Sequence, residues 1–395
     1  MIDANRVHYL RAVEDVSDLA EEARSEGRIA IDAEFIRERS YYPQLALIQV
    51  ATSSRSVLID PLDGADLTPI EDLVNDSSTT KILHAASQDL EIFFYRTGKA
   101  PRNIFDTQIA GALAGFGHQS SYAAMIERTT GVTLKKGESY TDWLRRPLSK
   151  KQEEYALDDV RYLHQAHDCL QDRLNEAGRL SWAMEEMQRY EDTDYFQLSD
   201  DQLFRKVKRF GTLDQRGLAV LRELAIYRER EARHRDRPRR NIIADETLVE
   251  IARSTPKTMD DLTRMRGLHP REAKRSGRDL LEVVAAGLAV PATERPKIAK
   301  KERLTPEGEA MVDLLQAVLR ALCRAVGVAP PMVANARDVE NLVRDHFSGG
   351  CARSESELLT GWRRELVGDE LVHFIEGRMS VHLDPDTGGP VFEER

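Results

Sequence analysis

The sequence predicts an α/β domain over roughly the first 200 residues and an all-helical remainder. Two observations carry this. Short runs rich in Val, Ile and Leu alternate with helical repeats up to about Ser199 and almost vanish beyond it. From there apolar residues recur at helical spacing, as at Leu218, Leu221, Leu224 and Ala225. The 395 residues leave room for several domains, since one domain commonly takes about 100–200 residues.

Taken in order, Val7–Leu10 is a short strand candidate and Val16–Ser25 a helix. Arg28–Glu34, Leu45–Ala51 and Ser56–Asp60 read as strands, and their connections are too short for crossover helices, so they should pair antiparallel. A helix near Asp66–Val74, a strand at Lys81–His84, a helix at Gln88–Thr97 and a strand at Asn103–Asp106 follow, and Thr107–Ala177 is mostly helical. The result is a mixed sheet flanked by helices. Beyond it, Leu213–Arg235, Asp245–Ser254, Thr258–Met265 and Pro270–Gly287 form one helical group. Thr305–Gly327, Asp338–Phe347 and Ser354–Leu366 form a second. Val290–Lys301, with two prolines and several charges, reads as a linker, and Asp384–Arg395 as a loose end. Expected limits are therefore 1–205, 206–290, a linker at 291–302, 303–380, and a tail at 381–395.

Composition removes several function classes. No apolar run approaches the about 18 residues that span a bilayer, so no membrane association is expected. Met1–Arg11 is polar and carries an acid, unlike a signal peptide. Cys169, Cys323 and Cys351 are far apart and match no metal-ligand spacing, as in a reducing cytoplasmic compartment. Net charge is −10, which alone disfavours nucleic acid. Its distribution matters more: Arg205–Arg240 carries thirteen cations against five acids, a local balance of +8 in an acidic chain.

Three short stretches carry candidate chemistry. In "IAIDAEFIRERSYYPQLALIQV", Asp32 and Glu34 lie two apart on a strand and so share a face. Close like charges there destabilise the strand unless a partner offsets them. Divalent cations such as Mg²⁺ or Mn²⁺, which take carboxylate oxygens, would do so. Alone, the pair fits better the commoner case of Glu34 at an exposed strand end facing Arg37 or Arg39. In "ILHAASQDLEIFF", Asp89 opens a helix, where an acid is also favoured by the macrodipole, and His84 ends a strand, where packing is the commoner role. In "EEYALDDVRYL", Tyr155 and Asp159 share a helix face at i, i+4, while Asp158 must point elsewhere. That stretch alone also suits an ordinary amphipathic helix.

Together, strand D-x-E, strand-to-helix D and helical Y-x-x-x-D resemble the DEDDy exonucleases. The likeness sharpens over "DTQIAGAL" and "YTDWLRRPLSKKQEEYALDDVRYL", where the chain is similar to the ribonuclease D family across the first 200 residues. The resemblance implies a ribonuclease-H-like sheet and two divalent cations, Mg²⁺ or Mn²⁺. It implies that Asp32, Glu34, Asp89 and Asp159 hold them and that Tyr155 orients the attacking water. The implied activity is metal-dependent 3′→5′ exoribonuclease action that releases nucleoside 5′-monophosphates. The implied substrates are RNA 3′ ends, above all tRNA precursors and other small structured RNAs, handled by a monomer. Arg145 and Arg146 are candidates for phosphate contact. Lys135 and Lys136 could line the entry path, and His118, before a helix start, could touch substrate. An ordinary surface, basic-loop or capping role competes for each.

"REREARHRDRPRRNIIADETL" and the stretch to about Gly287 resemble the HRDC domain, a small helical nucleic-acid-binding bundle. Cations there would neutralise phosphates and release counterions. Many of these arginines lack an acid at helical spacing, which favours binding over a solvated ion-paired face. Arg233, Arg235 and Arg237 are the substrate candidates. The second helical group would be a second HRDC-like domain with fewer arginines. RNA contact and a structural role, shaping a funnel or ring, are equally open for it. A helicase is excluded by the lack of a G-x-x-x-x-G-K-[ST] loop, and a polymerase by length. A 3′→5′ DNA exonuclease and a non-catalytic RNA-binding scaffold stay open as alternatives.

Overall fold

The structure, a computed structural model, describes residues 9–10, 13–134, 141–298, 303–350, 356–386 and 389–394. Six strands form one sheet: β1 (Tyr9–Leu10), β2 (Arg28–Ile36), β3 (Gln44–Ala51), β4 (Ser56–Ile59), β5 (Thr80–Leu83) and β6 (Ile104–Asp106). Their order is β1-β4-β3-β2-β5-β6. As the short connections require, β2–β3 and β3–β4 are antiparallel. β5 joins β2 in parallel and β6 joins β5 in parallel, each after a helical crossover. β1 lies parallel to β4. The expected mixed-sheet α/β fold is what forms.

Helices α1 (Val13–Glu26), α2 (Thr68–Val74), α3 (Ser87–Thr97), α4 (Thr107–Leu113), α5 (Tyr122–Thr130), α6 (Lys150–Arg161), α7 (Leu163–Glu176) and α8 (Leu180–Gln188) accompany the sheet. β2 is central, so its apolar residues Ile29, Ala30 and Ile31 are fully buried. Asp32 stands opposite Gln49 in the ladder and Glu34 opposite Leu47, which fixes one shared face for all four side chains. A bulge follows between Glu34 and Phe35. α6 packs over β2, β3 and β4 on that face, where Trp143, Leu148, Ala156 and Leu157 join Leu47 and Leu58 in a small separate core.

The first helical group comprises α9 (Thr193–Phe196), α10 (Asp200–Arg205), α11 (Gln215–His234), α12 (Arg239–Ile242), α13 (Asp245–Ser254), α14 (Met259–Thr263) and α15 (Pro270–Ala289). From Leu203 to Val284 it has its own hydrophobic core. α15 lies against α11 so closely that a Cβ at Gly287 would meet the Val220 Cα at 2.5 Å. This group docks against the β2–β3 connection. The Tyr41 and Tyr42 amides both donate to Asp236 at 3.0 Å, and the Tyr41 hydroxyl reaches the buried Glu229 carboxylate.

The second group comprises α16 (Pro306–Ala325), α17 (Pro330–Val333), α18 (Ala336–Gly349), α19 (Gly361–Arg363) and α20 (Asp369–Ile375), with a π-helical turn, Arg364–Gly368, between the last two. Its residues from Leu315 to Ile375 share one continuous core with the sheet domain. Buried Trp362 stacks on Trp182 at 5.7 Å and donates to Glu186 at 2.9 Å, an acid that Arg363 also pairs. The terminal segment read as loose is instead a hairpin, β7 (Met379–Leu383) with β8 (Pro390–Glu394), from Met379↔Glu394 to Leu383↔Pro390.

Candidate active site

The β2 strand, the β5–α3 turn and α6 converge at one end of the sheet. Asp32 and Glu34 project from β2. The Asp159 carboxylate comes from the last turn of α6, whose start is fixed by a capping box between Ser149 and Gln152. One carboxylate oxygen from each of Asp32, Glu34 and Asp159 lies within 4.8 Å of the others, the only such group of potential metal ligands among the described residues. Asp89, in the first turn of α3, is almost wholly buried and lies outside this tight trio, although the charges of Asp32 and Glu34 act on it. Asp158 turns away to pair with Arg161 at 2.7 Å, as its neighbour's direction required. Arg37 pairs with Glu91, so Glu34 does not use it.

Concentrated acid leaves its mark on every carboxyl. Burial pushes Asp32 up to about 7. Burial and then the Asp32 charge push Glu34 up to about 8. Burial and the charges of Asp32, Glu34 and Asp158 push Asp159 up to about 9. Burial, with Asp32, holds Asp89 well above the carboxylate range. Hard oxygen donors at this spacing, short of positive charge, fit a Mg²⁺ or Mn²⁺ centre. Tyr155 stands beside them: its hydroxyl bonds to Asp159, and burial followed by the Asp159 and Glu34 charges raises its pKa.

A second set of residues builds the frame. Asp106 was not singled out as a functional residue in the sequence. Its carboxylate accepts from the Ala85 and Ala86 amides at 3.0 Å, from Gln108 at 2.9 Å and from the Tyr190 hydroxyl at 2.9 Å. It thereby sets the β5–α3 turn, with Ala85 at φ 56°, that aims Asp89. The signal was its place as an N-cap directly after a strand in "DTQIAGAL". His84 is a packing residue, bonded to Thr107 at 2.9 Å and Ser120 at 3.1 Å and set edge-on to Tyr122. Tyr122 in turn donates to the Asp158 carbonyl at 2.6 Å, tying α5 to α6.

Several expected substrate contacts are placed differently. Arg146 forks onto the buried Asp60 and donates to the Trp143 and Ala46 carbonyls at 2.7 Å, so its donors hold the segment Asp142–Leu148, a D-W-x-x-R-P-L strap, to the sheet and it is not a free phosphate ligand. Arg145 is exposed, and His118 is exposed in the α4–α5 connection, where Ser121 is the helix cap. Lys135 and Lys136 lie outside the described residues. In the arginine run, Arg235 is committed to Glu231, Glu272 and Ser276, and Arg233 to Glu229 and Tyr41. Arg228 pairs with Asp245 and Arg239 with Glu229. Arg237 alone of the three candidates is exposed. The argument from missing i±4 acids fails on two counts: Glu229 and Glu231 do stand at i−4 of Arg233 and Arg235, and Asp245, Glu272 and Glu229 reach Arg228, Arg235 and Arg239 from other elements.

Residues 7–175 match the family model described as 3′-5′ exonuclease, and residues 217–284 match the HRDC domain. Ribonuclease D of Gluconacetobacter diazotrophicus is 37% identical over 377 residues, covering 95% of this chain and 94% of the relative. Ribonuclease D of Bartonella henselae is 37% identical over 91% of this chain and 88% of its own. The crystal structure of Escherichia coli RNase D, described as an exoribonuclease involved in structured RNA processing, superposes with a TM-score of 0.81 at 31% identity, covering 94% of this chain and 99% of that one. No helix among the described residues is long and apolar enough to cross a membrane.

Proposed function

The chain belongs to the ribonuclease D family and is a 3′→5′ exoribonuclease, and from that premise we propose that it trims the 3′ ends of tRNA precursors and other small structured RNAs in a metal-dependent hydrolysis, acting as a cytoplasmic monomer. The observation that carries the metal-dependent part is the approach of the Asp32, Glu34 and Asp159 oxygens within 4.8 Å of one another.

Asp32, Glu34 and Asp159 would hold the cations, with Asp89 completing the set from α3. When bound, two divalent ions would supply Lewis-acid stabilisation of the attacking and leaving oxygens of an in-line displacement. Tyr155 holds the water on the far side of the phosphorus from the leaving 3′ oxygen, since its hydroxyl both donates and accepts. Its bond to Asp159 sets the direction of that hydroxyl. Asp106 fixes the backbone behind Asp89, and Tyr122 fixes α6 behind Asp159.

RNA upstream of the 3′ end would run over the first helical bundle, residues 206–290, joined by the 291–302 linker to the second unit at 303–380. With Arg233 and Arg235 occupied, the free contacts fall to Arg237 and to a cavity of about 1100 Å³ whose lining includes Arg209, Lys257, Arg264 and Arg266. Arg145 is the phosphate contact nearest the site in sequence.

The test is release of nucleotides from 3′-extended precursor tRNA with Mg²⁺ or Mn²⁺, with chelator, and with Asp32→Asn and Asp159→Asn. Loss of activity in all three disabled arms is expected. Full activity in Asp32→Asn would exclude the mechanism, and preference for a DNA 3′ end would replace the substrate.

A further inference from the structure

Gln49 sits in the middle of β3, wholly buried, and neither its amide nitrogen nor its amide oxygen has a hydrogen-bond partner. Apart from the exposed Gln44 at its start, its strand is otherwise Leu45, Ala46, Leu47, Ile48, Val50 and Ala51, all buried and apolar. A buried carboxamide without a partner is disfavoured against an apolar side chain of the same size, so a glutamine here needs a use. The ladder supplies one. Gln49 is directly opposite Asp32 on β2 and opposite Leu58 on β4, and its neighbours along the same face are Leu47 and Ala51. Directly opposed residues carry their Cβ atoms about 4.5–5.5 Å apart on one face. Of those four side chains only Asp32 offers an acceptor.

Two other buried polar atoms near β3 lack partners. Trp143 Nε1 belongs to the strap, and His164 Nδ1 to a ring whose Nε2 lies 2.9 Å from the Ala51 carbonyl. Neither residue faces Asp32 in the ladder.

We propose that Gln49 is a positioning residue for the cation centre: in the loaded state its Nε2 donates to the Asp32 carboxylate, fixing the rotamer in which the other oxygen faces the metal. This rests on Asp32 being a metal ligand. A ligand carboxylate is held by a hydrogen bond of this kind in many metal sites, and loss of the outer partner typically lowers metal affinity 10–100-fold. Gln49 has the reach, the donor and the burial to supply it, and its side chain costs stability as long as it does not.

Mn²⁺ binding to the RNA-free full chain, measured by titration calorimetry, tests this with wild type, Gln49→Met and Asp32→Asn side by side. Gln49→Met keeps the volume and removes the amide. It should unfold in urea with chelator at the same or a higher midpoint than wild type, yet bind Mn²⁺ about 10–100-fold more weakly. Asp32→Asn should bind more weakly still. Wild-type affinity in Gln49→Met, with Asp32→Asn impaired, overturns the role of Gln49 and leaves the metal site standing. Equal binding by wild type and Asp32→Asn overturns the site itself. If Gln49→Met does not fold, Gln49→Asn replaces it, since it keeps the amide but withdraws it by one methylene. The same loss of affinity is expected, and unchanged affinity refutes the proposal.

Discussion

The hydroxyl of Tyr41 and the carboxylate of Glu229, 188 residues apart, meet where the loop behind the catalytic strand touches the first helical bundle. Arg233 and Arg239 close on the same carboxylate, and Asp236 holds the two tyrosine amides. Glu229→Ala strands two arginines in a half-buried pocket, and breaking such a set costs about 3 kcal/mol. The expected outcome is a bundle that swings away from the sheet, read as faster proteolysis between the two units. Turnover of structured RNA should fall more than that of a short single strand.

The acid cluster makes stability depend on pH in a stated direction. Folded values of about 7, 8 and 9 for Asp32, Glu34 and Asp159 lie above the unfolded value near 4. The metal-free folded chain therefore keeps protons that the unfolded chain has released. The stability these protonated acids contribute is complete below about pH 4 and is lost as pH rises through 7 to 9. In chelator, the melting temperature should drop between pH 6 and pH 9, and the gain on adding Mn²⁺ should grow over the same interval. A metal-free melting temperature that rises over that range would contradict the cluster.

Asp159→Asn removes one of the crowded charges. In chelator at pH 8 it should be more stable than wild type by about 1–2 kcal/mol, the usual exchange between stability and function at a strained site. Its nuclease activity should be lower on the order of 10³-fold. Urea unfolding and single-turnover assays on the same preparation check both signs.

Tyr155→Phe keeps the ring packed near Trp143, 6.1 Å between centroids, and deletes only the hydroxyl. Turnover should slow by roughly 10²-fold, while Mn²⁺ affinity and RNA affinity stay near wild type. A large change in Mn²⁺ affinity would make Tyr155 part of the metal-binding set.

The two neighbouring arginines of the strap should separate cleanly. Arg146→Ala leaves buried Asp60 unpaired and should cost about 3 kcal/mol. Arg145→Ala should change stability by less than about 0.5 kcal/mol and weaken RNA binding. In the first bundle, Arg235→Glu should unfold the domain. A combined Arg237→Glu, Lys257→Glu and Arg264→Glu variant should stay folded and flatten the salt dependence of RNA binding.

The site was legible where local periodicity determines direction. Asp32 and Glu34 share a face because strands alternate, and Tyr155 and Asp159 share one because helices repeat. Their convergence is a tertiary fact that spacing alone does not contain, and it came from resemblance. The arginines were misjudged for a related reason. Arg146 finds Asp60 at a separation of 86 residues and Arg235 adds Glu272 at 37, while Glu229 and Glu231 do stand one helical turn before Arg233 and Arg235. Gln49 carried no signal in the sequence, because nothing in "LALIQVA" distinguishes a buried glutamine from an exposed one. The terminal hairpin was missed because both of its strands are partly exposed and their alternation is weak.

The second helical group contributes Trp362, Leu371 and Ile375 to the same core as the sheet. A nascent chain that has emerged only to residue 300 therefore still shows water the apolar side of α8 around Trp182. The sheet domain and the second helical group therefore stabilise each other, and a chain cut between them would expose apolar surface on both sides of the break.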